Sequence, residues 1–136
     1  MSGYDITLIE IARLKPTEMV DAAHVERLVR QIRSDGRLYQ PVLVERGSLA
    51  ILDGHHRWHA ATRLGLARIP AILLAYGDPR LTLASWTSRV YCHDDVIRAA
   101  MTRQLMPPKS TRHLLDPPPP PMPVALESLG VATSSA

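Results

Sequence analysis

The 136-residue chain has one cysteine, Cys92, no phenylalanine, two tryptophans, four tyrosines and, among its 16 basic residues, only Lys15 and Lys109 as lysines. Each scarcity removes a class of protein. A single thiol cannot build an internal disulfide framework or a thiolate-rich metal cluster, and it fits a reducing, cytoplasmic setting. With aromatics at 4% of residues, the core has to be aliphatic, packed from Leu, Val, Ile and Ala. No stretch approaches the ~18 apolar residues of a membrane span. The opening MSGYDITLIEIARLKP lacks a basic leader followed by an apolar run, so a protein that is neither exported nor membrane-bound is expected. The formal charge of +3 is almost all arginine and is too sparse for a polyanion-binding stripe, so a nucleic-acid partner is not expected.

What is present supports one compact domain, since 46% of residues are hydrophobic. Ile6 to Ile11 reads as an opening strand that Pro16 terminates. The clearest helix follows: Val25, Leu28, Val29 and Ile32 recur at i, i+3, i+4, i+7, with Asp21 as N-cap and Gly36 just past the end. PVLVE (41–45) and SLAIL (48–52) are short apolar runs around Arg46 and Gly47, which predicts a tight hairpin. Residues 54–64 read as a second helix stopped by Gly65, and RIPAILLAY as a buried strand. LTLASW suggests one more strand and DDVIRAAMTRQL a helix with acid at its positive end. The expected class is mixed α/β, a small sheet with packed helices over residues 1–115. From Asp116 to Ala136 the chain holds six of its twelve prolines and is expected to be a disordered tail.

The stretch ILDGHHRWHAATRLG places an acid, a glycine, two histidines and an arginine at a strand-to-helix junction. Three readings stay open on spacing alone. Gly54 lets a ligand approach the backbone, and the first N–H groups of the helix, with Arg57 and His55 or His56, suit phosphate oxygens. Asp53 spoils a purely anionic site unless it binds Mg²⁺ or holds a substrate hydroxyl. His55 and His59 stand at i, i+4, the spacing of zinc-binding histidines, although no third ligand is evident. In the third reading Asp53 merely caps the helix and the histidines are solvated.

This stretch, preceded by HVERLVRQIRSDGRLYQPVLVERG, resembles the ParB N-terminal-like and sulfiredoxin superfamily over roughly residues 6 to 115. Chromosome-partitioning members continue into a helix-turn-helix domain, for which this chain, as it stands, is expected to be too short. Sulfiredoxins carry their cysteine where this sequence has His55, and Cys92 lies far along the chain. The free-serine kinase branch is similar in three places: LKPTE, the DGHHR turn and PPKSTRH. That resemblance implies transfer of a phosphoryl group from ATP or ADP, with Mg²⁺, to the hydroxyl of L-serine, giving O-phospho-L-serine.

Carried over by residue, the resemblance implies Glu18 as the catalytic base, with Asp53 assisting it or engaging Mg²⁺. Gly54, His55, His56 and Arg57 would hold the phosphates. Trp86 would wall the serine pocket, and Lys109, Thr111 and His113 would gather the serine carboxylate, alternate residues of an extended segment pointing one way. Read without the resemblance, Glu18 is a first-turn helix acid, Trp86 a core residue and the PPKSTRH segment a solvated basic loop. The competing function is a non-catalytic ParB-like nucleotide-binding module with a protein or DNA partner.

Overall fold

The computed structural model describes residues 3–86 and 89–132. The opening strand β1 (Thr7–Glu10) runs into a 3-10 turn, Ile11–Arg13, and helix α1 (Ala22–Asp35) follows. Asp21 caps α1 through a 2.9 Å bond that its carboxylate accepts from the Ala23 N–H. Gly36, at φ +71°, ends the helix in the left-handed region that glycine tolerates best. Strands β2 (Arg37–Leu38), β3 (Val42–Glu45) and β4 (Ile51–Asp53) lead to helix α2 (His55–Arg63) and strand β5 (Arg68–Leu74). Strand β6 (Leu81–Ser85), helix α3 (His93–Thr102) and strands β7 (Thr111–Leu115) and β8 (Val124–Ala125) complete the order before a last 3-10 turn, Leu126–Leu129. The mixed α/β class holds.

The main sheet has the order β1-β5-β3-β4, with β5 parallel to β3 and antiparallel to β1. Its alternation explains the two cores. Ile69 and Ala71 of β5, Val42 and Val44 of β3 and Ile51 of β4 face the layer of α1 and α2. Their neighbours Ile72, Leu74, Leu43 and Leu52 face Leu81, Val96, Ala99 and Leu115 on the other side. Successive residues of a strand point to opposite faces, so an unbroken apolar run such as VLV is what a strand covered on both sides requires. Among the described residues no helix is long and apolar enough to cross a membrane.

Three expectations are corrected. The β3–β4 connection is not a two-residue hairpin: it spans 46–50, because the Glu45 carboxylate accepts from the N–H groups of Gly47 (2.7 Å) and Ser48 (2.8 Å) and from the Ser48 hydroxyl, which winds the chain into a wider turn. The basic PPKSTRH segment is not a solvated loop throughout: its second half enters β7, which pairs antiparallel with β6 from Leu81↔Leu115 to Ser85↔Thr111. The proline-rich segment after Asp116 folds back onto the domain. Val124 pairs with Leu38, Ala67 N–H donates to the Gly130 carbonyl, and Leu129 is fully buried among the residues under α1 and α2. Prolines forbid helix and central strand but leave an extended chain free to lie on apolar surface, and the leucines and valine after them supply its anchors. Residues 133–136 lie outside the described residues.

Candidate active site

Asp53 ends β4 and Gly54 makes the turn into α2, at φ +101°. A Cβ at Gly54 would lie 2.6 Å from Val42 Cγ1 and 2.8 Å from Arg57 Nη2, so the turn is closed to any other residue without displacement. Beyond it the first N–H groups of a nine-residue helix face a cleft of about 370 Å³. Glu18, Asp53, Gly54, His55, His56, Arg57, Trp86, Lys109 and Thr111, all expected at the site, line this one cleft, with His24, Leu28 and Leu52 completing the wall. His113 is the exception, because its ring is buried behind the wall.

Glu18 reaches the cleft from the 14–18 segment, a strap that runs alongside the edge strand β4, with Lys15 bridging Ala50 in parallel. Met106 N–H donates to the Thr17 carbonyl (2.9 Å) and Met19 N–H to the Met106 carbonyl (2.8 Å), so the strap is tied to the segment that leads into β7. Glu18 Oε1 then accepts from the Thr111 N–H at 2.8 Å and the Thr111 hydroxyl at 2.5 Å. Burial pushes the Glu18 carboxyl above its ordinary value, and the Asp53 charge adds to that. The bonds from Thr111 and the Lys109 backbone act the other way. The donors of Thr111 expected at a substrate carboxylate are thus directed at Glu18.

His55, the first residue of α2, is likewise used within the protein. Its Nε2 accepts from the N–H groups of Thr17 (3.0 Å) and Glu18 (3.3 Å), and the Thr17 hydroxyl, bonded to the Ile51 carbonyl, lies 3.1 Å away. Burial pushes its pKa down to about 3, so the ring is neutral and its side chain pins the strap that carries Glu18. This removes the i, i+4 zinc reading with His59, and among the described residues no group of three metal-ligating side chains forms. Thr17, fully buried beneath His55, was not singled out in the sequence, although it stands next to Glu18 in LKPTE. His56 Nε2 accepts from Asp21 N–H at 3.1 Å, and its ring stacks on His24 at 4.2 Å.

Arg57 reaches Asp53 Oδ2 at 3.4 Å and the Pro41 carbonyl at 3.3 Å, while its buried Nε has no partner among the described residues. The guanidinium thus lies at the first turn of α2, beside helix N–H groups that suit an anion. Lys109 takes a left-handed backbone conformation, φ +57°, two residues before β7 begins, so it does not share the strand alternation of Thr111 and His113. Those two do face one side, as expected. His113 Nε2 lies 2.9 Å from the Tyr76 hydroxyl, and its Nδ1 faces the Leu52 backbone without a well-formed bond. Burial lowers its pKa to about 4, so it is a neutral donor rather than a cation. Trp86 is 57% exposed, with the Arg112 guanidinium 4.2 Å over its ring, so it is a cleft wall and not a core residue.

A glycine turn at a strand-to-helix junction, a helix start lining a cleft and a small sheet covered by helices make this a small mixed α/β domain with its cleft at the strand-to-helix turn. The chain belongs to the ParB N-terminal domain family, whose model matches residues 2–88. It is 35% identical over 98 residues to a ParB-like protein of Sulfolobus acidocaldarius, covering 72% of this chain and 48% of that one. It is 34% identical over 83 residues to an ATP-dependent L-serine kinase of Staphylothermus marinus, covering 58% of this chain and 33% of the relative. The chain thus spans half or less of the length of these curated relatives. Its fold is that of a solved free serine kinase in complex with AMP, with a TM-score of 0.85 at 16% identity, over 93% of this chain and 94% of that one.

Proposed function

We propose that this chain is a nucleotide-dependent kinase of free L-serine, acting in the cytoplasm and taking ATP or ADP as donor. The observation that carries the reading is the buried Glu18 carboxylate, held by Thr111 in the same cleft as the α2 N-terminus and Arg57. A bare nucleotide-binding module has no use for a desolvated carboxylate beside its phosphate site.

In the proposed reaction the serine hydroxyl oxygen attacks the terminal phosphorus. The new O–P bond forms as the bond to the nucleotide's bridging oxygen breaks, and the hydroxyl proton passes to Glu18. Oε1 accepts both bonds from Thr111, and Oε2 would take the proton. The backbone N–H groups at His55 and His56, with Arg57, hold phosphate oxygens, and Gly54 lets them approach. His55 acts through its backbone there, since its ring holds the strap. Lys109 supplies the cation for the serine carboxylate, neutral His113 stands behind it, and Trp86 walls the pocket. Thr111 orients the base.

The donor set fits Mg²⁺: Asp53 is an exposed carboxylate in the cleft, close enough to raise the Glu18 pKa, and hard divalent cations take oxygen ligands of this kind. Asp53 would hold the ion, which when bound neutralises phosphate charge.

The test is incubation of the purified chain with ATP or ADP, Mg²⁺ and L-serine, with O-phosphoserine read by mass spectrometry. Product formed by the wild type and lost in Glu18→Gln supports the kinase. Nucleotide binding with no serine-dependent product would leave the non-catalytic module in its place.

A further inference from the structure

A second cleft of about 370 Å³, sharing no lining residue with the first, opens between the segment 12–16 and the end of α3. Its charged residues are Arg13, Lys15 and Arg103, and no carboxylate lines it. Leu14 and Ala100, both almost fully buried, form an apolar floor, and Pro16 and Leu105 continue it. We propose that this cleft binds a small organic anion carrying two or more carboxylate or phosphate charges.

The charge arrangement is what calls for a ligand. Among the described residues none of the three cations takes part in an ion pair. Among the described residues the Lys15 ammonium has only the Met101 sulfur, a weak acceptor, at 3.8 Å. Arg103 sits at φ +62°, a helix-ending conformation usually given to glycine or asparagine. Like charges gathered in a concave surface with a low-dielectric floor raise each other's potential, and a counter-anion relieves it. The volume falls at the small end of small-molecule sites, and the apolar floor suits a short carbon skeleton, so a compact metabolite fits better than an acidic chain.

The location gives the anion leverage. Arg13 and Lys15 lead directly into Thr17 and Glu18, and Arg103 leads into Met106, which is bonded to Thr17 and Met19. An anion bridging the two sides would therefore draw together the segments that hold the candidate base. Binding itself does not depend on the kinase reading.

The experiment is calorimetric titration of the full chain with citrate, succinate and inorganic phosphate, separately. The site predicts one anion per chain in this cleft, besides any phosphate taken by the first, with citrate above succinate if carboxylates are its ligands and phosphate above both if phosphoryl groups are. Arg13→Gln and Arg103→Asn remove charge from exposed positions, and asparagine accepts the left-handed backbone, so both variants keep the fold. Each should weaken binding about tenfold, the scale of one charge-assisted contact, both in the wild type and in an Arg57→Ala background that removes a phosphate ligand of the first cleft. The proposal is overturned by no binding of any probe at millimolar concentration, by affinity indifferent to Arg13 and Arg103, or by affinity lost with Arg57.

Discussion

Glu18 and Thr111 stand 93 residues apart in sequence, and one carboxylate oxygen of the first accepts both the N–H and the hydroxyl of the second. This pair joins the strap before α1 to the edge strand β7, and it places a desolvated acid in the cleft at the α2 N-terminus. The bonds from Thr111 lower the Glu18 pKa against a burial effect that raises it, so the pair also sets the pH at which this carboxylate ionises.

Thr111→Val removes the hydroxyl but keeps the shape and the backbone bond. With one lowering contribution gone, the Glu18 pKa rises further. The acid limb of the pH–rate profile should move to higher pH, by up to about one unit for a bond to a charged group. Thr111→Ser should restore the limb. A profile unchanged in Thr111→Val would remove the pair from control of the base.

Gly54→Ala tests the turn. The added Cβ meets the buried Val42 side chain at 2.6 Å in a backbone conformation that alanine resists, so a stability loss of ~1–3 kcal/mol is expected. Nucleotide affinity should fall with it, because the displaced Arg57 head and helix start are the proposed phosphate ligands. Gly77→Ala, where nothing lies within 4 Å, is the matched control in denaturant melts and nucleotide titrations.

His55 gives a pH signature in stability. Its folded pKa of about 3 lies below the ordinary 6.5, so the unfolded chain binds the extra proton between those values. Stability from this group is therefore complete above pH 6.5 and is lost progressively as pH falls toward 3, and His113, at about 4, acts in the same sense. Glu18, shifted upward, acts in the opposite sense, its share being lost as pH rises through its folded value. His55→Gln should cost ~1–3 kcal/mol at neutral pH, the scale of orphaning buried N–H donors, with a smaller difference at pH 4.5. Melts of both proteins across pH 4–8 check this, and a pH-independent difference would sink it.

The C-terminal segment is tested by Leu129→Ala. A fully buried leucine truncated to alanine costs ~2–5 kcal/mol, whereas a residue in a disordered tail would cost nothing measurable. Chemical denaturation of the two proteins decides between a docked and a free segment.

The local elements follow from short-range chemistry, and the sequence determined them. The 3.6-residue period of Val25, Val29 and Ile32, with Asp21 before and Gly36 after, is enough to place α1. The glycine between an apolar strand and the HHR helix start likewise marks the turn at Gly54, because only glycine meets both its steric and its dihedral demand. Only the tertiary structure decided what the side chains do. His55 looks like a ligand in sequence, yet its Nε2 is taken by two backbone N–H groups from a segment 37 and 38 residues away. Thr111 looks like a substrate donor, yet it faces Glu18. The prolines after Asp116 signal disorder, yet Leu129 finds a buried place under α1 and α2. Hydrogen-bond partners and burial are set by which distant segments meet, and the periodicity of either segment alone carries no record of that meeting.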